Sequence, residues 1–175
     1  MPTREEWAVA YHRQGRSDWS MFAELQGRDD VPACHSLHFL QMATEKLAKA
    51  YRFRDTSADT AALLTSHVGF PRFLNAFLLS PQMREEYDGR HAQLESIRKD
   101  FAPLARAIEQ LAPAVDREAV PGNAEYPWER GEGVVAPVDH GFPEVALLRH
   151  PRGRMFLNFI RRAFEAFPVA VPEHE

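Results

Sequence analysis

One cysteine, Cys34, is too few for an internal disulfide, which favours a reducing compartment. No apolar run approaches the ~20 residues that a membrane-spanning helix needs. The first residues, MPTREEW, are charged and show no apolar segment of a secretory leader. A soluble, cytoplasmic protein is therefore expected, with no membrane partner. Excess positive charge is also missing. The net charge is −4, so the chain as a whole does not attract nucleic acid, and any phosphate-binding surface must be a local patch. Internal repeats and low-complexity tracts do not occur, and strand signals are confined to Val134 and Val135. What is present is ordinary for a globular protein. Apolar residues make up 45% and charged residues 26% of 175 positions, enough for one domain around a single core.

Periodicity supplies the architecture. Pro32 to Phe53 reads as a helix of about six turns, with Asp29 and Asp30 just ahead of it and Pro32 suited to its first turn. Leu37, Leu40, Leu47 and Tyr51, with Ala43, Ala48 and Ala50 beside them, form its core stripe, and Glu45 can pair with Lys49 at i,i+4. Upstream, Thr3 and Glu6 make a capping box that opens a first helix. Gly15 weakens that helix, Ser17 recaps it, and Gly27 stops it. Arg54 to Thr60 is turn-like. Phe70, Phe73, Leu74, Phe77 and Leu78 mark an amphipathic helix with Pro71 in its first turn, and Ser80-Pro81 caps the next. Met83, Tyr87, His91, Leu94, Ile97, Phe101, Leu104, Ile108 and Leu111 predict one long helix, kinked or split at Pro103. Residues 114–144 change to Gly, Pro and acidic residues without a period, and Tyr126, Trp128 and Phe142 are expected to pin them to the bundle. His150-Pro151 opens the last helix and Pro168 closes it. The expectation is a single all-α domain over 1–175. It is an up-and-down bundle of four to five helices over about 3–167, with an irregular acidic loop at about 114–144 and a polar tail at 168–175.

The stretch LHFLQMATEKLAKAY resembles the signature second helix of HEPN (higher eukaryotes and prokaryotes nucleotide-binding) domains, an A-x-E-K-x-x-K-A pattern present here as Ala43, Glu45, Lys46, Lys49 and Ala50. Thr65-Ser66-His67 resembles that family's Thr-His turn. Glu125-Tyr126-Pro127 is similar to its Arg-Tyr-Pro element, with Glu in place of Arg. The resemblance spans roughly residues 17 to 165. It implies an up-and-down bundle that forms a homodimer or joins a nucleotidyltransferase-type or other protein partner, in a bacterial defence or toxin–antitoxin setting. It further implies either RNA cleavage, by an Arg and a His separated by four to six residues, or binding of a nucleotide, RNA or protein without catalysis. No cofactor is expected.

Two stretches meet that spacing, Arg28…His35 and Arg84…His91, and with 8 histidines and many arginines such spacings also arise by chance. Arg28…His35 crosses a turn and Pro32. On one long helix, Arg84 and His91 at i,i+7 would share a face, with His91 on the apolar stripe. His91 would be the general acid or base and Arg84 the group that stabilises phosphoryl charge, without metal. The alternative is a half-buried His bonded to a neighbour with a surface Arg nearby. His35 and His38, one turn apart, could offer two metal ligands, with His67, His91 or His140 as a third, or simply flank the helix stripe. Arg149, Arg152, Arg154, Arg161 and Arg162 concentrate positive charge on the last helix, some of it against the macrodipole. With Lys46 and Lys49 they are the ligand-binding candidates, for a phosphate or nucleic-acid backbone. The competing account is internal: residues 114–144 carry seven acids against two arginines and could lie on the basic helix. Tyr126-Pro127-Trp128 is an aromatic plug or a base-stacking platform, and Cys34 a plain or an activated thiol. Three readings result: a non-catalytic or degenerate HEPN-type binding module, a metal-independent endoribonuclease using Arg84 and His91, and a plain helical adaptor.

Overall fold

The structure is a computed structural model that describes residues 2–168, so the expected polar tail lies, from residue 169 on, outside the described residues. The chain is all-α, with eight helices among the described residues: α1 (Arg4–Leu25), α2 (Ala33–Arg54), α3 (Thr60–Thr65), α4 (Phe70–Leu78), α5 (Pro81–Glu86), α6 (His91–Gln110), α7 (Pro143–Arg149) and α8 (Pro151–Glu165). The only strands among those residues are β1 (Trp128–Arg130) and β2 (Gly133–Val135), a small antiparallel hairpin with Glu129 opposite Val134. None of the helices is long and apolar enough to cross a membrane.

Helix α2 is the centre of the bundle, packed along α1 and against α4, α6 and α8. Leu37, Leu40, Ala43 and Leu47 are at most 1% exposed, as the stripe predicts. Around them an aromatic layer closes the core, with Phe101 edge-on to Phe156 and Phe159 at 5.3 Å between centroids. The Thr3–Glu6 capping box forms as expected. Asp30, however, takes both guanidinium bonds of Arg28 rather than facing α2, which starts behind Pro32 with no side-chain cap.

Four expectations are corrected. First, α1 is not interrupted at Gly15. The glycine is buried against Ala43 and Lys46 of α2, where a Cβ would lie 3.2 Å from Lys46 Cβ, so it serves close helix approach rather than a stop. Second, the long helix after Ser80 breaks at Tyr87–Arg90 and not at Pro103. Gly89 turns the chain at φ +68 with Asp88 Oδ1 accepting its N–H, while Pro103 lies on the exposed side of an unbroken α6. Third, a six-residue helix, α3, follows the turn after α2, capped by Asp59. Fourth, residues 114–144 are not featureless. They hold the hairpin, a 3-10 turn at Pro137–Asp139 and the start of α7, a helix that precedes the expected last one. Trp128 and Phe142 pin this segment to the core as expected; Tyr126 is 51% exposed and pins nothing. The pin is completed by Asn123, 1% exposed, whose side chain donates to the carbonyls of Pro121 and Tyr126 and accepts from the N–H groups of Glu125 and Tyr126.

Candidate anion-binding cleft

The charged residues of the second-helix signature are spent inside the fold. Lys46 Nζ lies 2.7 Å from Asp18 of α1, and that aspartate, 4% exposed, also accepts from Gln14. Lys49 pairs with Glu45 at 3.1 Å and stands over the Tyr11 ring. Glu45 in turn accepts from Gln41 and meets His67 Nδ1 at 3.3 Å. The second-helix stretch and the Thr65-Ser66-His67 turn are thus in direct contact. Desolvated charges persist only when paired, and these are. Neither lysine presents a free ammonium.

The other sequence candidates divide. Arg84 and His91 do not share a helix: Arg84 is exposed on α5, and His91 opens α6 beyond the Gly89 turn. The His91 side chain is 72% exposed, with Asp88 at 3.9 Å, so it does not point into the bundle. On α8, Arg152 pairs with Asp100, Arg161 with Glu165 and Arg162 with Glu86, whereas Arg154 makes no ion pair among the described residues; Arg149, expected on the same helix, instead ends α7 and makes none there either. Three of the four α8 arginines are thus compensated internally, by α5, α6 and α8 itself and not by the acidic segment. His35 is exposed, His38 packs on Phe39, and His140 lies between Trp128 and Phe142. Among the described residues no three His, Cys, Asp or Glu gather as a metal would need. Cys34 is 2% exposed, and burial pushes its thiol up rather than down.

Three arginines that no sequence spacing connects meet in one place. Arg52 near the end of α2, Arg72 in the first turn of α4 and Arg106 on α6 line a cleft of about 510 Å³ with Ser66, Gly69 and Glu109. None of the three guanidinium groups makes an ion pair or hydrogen bond among the described residues, in contrast to Arg152, Arg161 and Arg162 on α8. Two carboxylates line the cleft, Glu109 and Asp116. Glu109 is committed: its Oε1 accepts the N–H groups of Gly69 at 2.6 Å and Phe70 at 3.0 Å, capping α4 from α6 and facing the positive end of its dipole. Gly69 holds φ +138, and Arg52 Nη1 would lie 3.0 Å from a Cβ there, so glycine keeps this corner open to the guanidinium.

Arg52 and Arg72 also border a second hollow of about 530 Å³, whose lining combines Tyr51, Phe73, Ala76 and Phe77 with the polar Asp55, Ser57 and Ser80. Tyr51 is fixed there by donating its hydroxyl to the Ala163 carbonyl at 2.8 Å, and burial pushes its pKa up to about 12. Phe73 packs on it at 4.8 Å between centroids. The arrangement therefore offers guanidinium groups for an anion and, beside them, a hollow lined by both aromatic and polar side chains. One sequence signal points here: Arg72, like the arginines at the start of α8, sits where a helix N-terminus repels a cation. A comparison of the chain with protein-family models, curated proteins and solved structures finds no match.

Proposed function

We propose that this chain is a non-catalytic, HEPN-type helical module that binds a nucleotide, with phosphates among Arg52, Arg72 and Arg106 and the base in the adjoining hollow. The observation that carries the reading is the convergence of three unpaired guanidinium groups on one cleft that opens beside an aromatic-walled chamber. Arginine suits the task because its planar fork meets phosphate oxygens two at a time. Asp55, Ser57 and Ser80 on the chamber lining retain hydrogen-bonding capacity beyond the Ser57–Asp55 bond and the Ser80 cap of α5, which a base edge can use and an alkyl chain cannot. The HEPN-type assignment is supported by the second-helix signature and its contact with His67. The absence of catalysis is supported by the separation of Arg84 and His91 onto two helices with both side chains exposed.

Titration with a fluorescent nucleoside triphosphate tests this. Arg72→Glu and Arg106→Glu lie at exposed positions and should leave folding intact while each weakens binding by about tenfold or more. Ala76→Trp, which fills the chamber from the exposed side of α4, should abolish the base contribution and leave tripolyphosphate binding unchanged. An RNA pool incubated with the protein in EDTA should stay intact. Cleavage that disappears in His91→Ala would replace this reading with the ribonuclease.

A further inference from the structure

The hollow at the base of the hairpin is unrelated to the arginine cleft and has a different chemistry. It measures about 300 Å³ and lies among Leu111, Pro121, Trp128, His140, Phe142 and Glu144, with Arg130 at its border. Its aromatic members are set edge-on to one another, Trp128 against His140 at 5.0 Å and His140 against Phe142 at 4.7 Å, and Trp128 and Phe142 are fixed by burial. Glu144, in the first turn of α7, contributes a carboxylate whose Oε2 is out of reach of water and has no hydrogen-bond donor. A carboxylate oxygen removed from water without a partner costs free energy, and a positive charge held in the adjoining hollow offsets it through space without touching that oxygen. The surroundings favour positive charge as well. Residues 114–144 carry seven acids against Arg117 and Arg130.

Aromatic rings beside an under-compensated carboxylate in an acidic segment are complementary to an organic cation whose charge is spread over methyl or methylene groups. A hydrated metal ion would find only one carboxylate here, and among the described residues no three metal-binding side chains gather. We propose that this hollow binds an alkylammonium group, held over the Trp128 and Phe142 rings with its charge against Glu144. Arg130 is exposed and also lines the hollow, so its charge opposes rather than forms the binding charge.

Choline and its uncharged carbon isostere, 3,3-dimethyl-1-butanol, make the decisive pair of probes, followed by calorimetry and by the indole N–H resonance of Trp128. Wild type should bind choline, and n-butylammonium more weakly, and should not bind the neutral isostere. Glu144→Gln keeps the shape and removes the charge, and should weaken choline by about tenfold. Arg130→Ala should strengthen it. Equal binding of choline and the neutral isostere would overturn the proposal, leaving a purely apolar hollow. So would no binding of either ammonium by wild type, or an unchanged affinity in Glu144→Gln whose melting curve shows a folded protein.

Discussion

Burial of the His12 ring decides which protonation state the folded chain accepts. The ring is 2% exposed, stacks on Phe167 at 4.3 Å between centroids, and its Nε2–H donates to the Phe164 carbonyl at 2.9 Å. Desolvation is the largest influence and lowers its pKa; the bond to the Phe164 carbonyl opposes this, while Arg16 and Arg54 add to the lowering. The folded pKa therefore lies below the unfolded value of about 6.5. Below that pH the unfolded chain binds the extra proton and the folded chain does not, so stability is complete above it and falls as the pH drops through it. Urea unfolding of wild type and His12→Gln at about pH 7.5 and pH 5.5 reads this out. Wild type should lose more stability between the two than the variant, in which the other histidines still titrate and this one cannot. Equal losses would show that position 12 accepts a proton in the folded state. The sequence alone gave no reason to single out His12. Its importance arises from Phe164 and Phe167, some 150 positions away, and pairing over such a distance leaves no local pattern.

At the scale of the element, the corner between α7 and α8 has the tightest constraint in the chain. His150 ends one helix and caps the other, and Gly153 sits in the first turn of α8 directly against the end of α7. A Cβ at 153 would lie 2.1 Å from the Leu147 carbonyl oxygen and 2.5 Å from Leu148 Cα. These are backbone atoms, so the two helices would have to part. Helix propensity alone predicts that Gly153→Ala stabilises by about 1 kcal/mol. The clash predicts the opposite sign, a loss of about 3 kcal/mol or more. Chemical denaturation separates the two, and a stabilised variant would mean that the corner is looser than this geometry. The same corner shows why α7 escaped the periodicity. Seven residues are too few to declare a stripe, and His150-Pro151 marks a helix start so strongly that the stretch before it reads as loop. Longer elements were legible: α2 and α4 fall within a residue of their expected ends because each carries apolar residues at every turn of one face. The split between α5 and α6 hides for a related reason. Tyr87 and Leu94 are buried on either side of it, so the apolar rhythm continues across the Asp88-Gly89 turn as though the helix did.

For the molecule as a whole, local density of charge proved a poor guide to where charge is free. The arginines of α8 stand out in sequence because they are neighbours, yet three of them are neutralised by Asp100, Glu86 and Glu165. Arg52, Arg72 and Arg106 belong to three helices and become a cluster only through the packing of α2, α4 and α6. The overall net charge of −4 bounds what such a cluster can do. A long polyanion gains the three guanidinium contacts but meets net repulsion elsewhere, so affinity should not climb with strand length. Counterion release sets the measurable consequence. Three phosphate contacts on a single strand give a slope of log K against log salt of about −2. Fluorescence titrations of a short and a long single-stranded RNA across a salt series should both give slopes near that value, and similar affinities. A slope two or three times steeper for the longer strand would require further free cations along its path. Arg149 and Arg154 would then be the first to replace with glutamate, because both are exposed and neither makes an ion pair among the described residues.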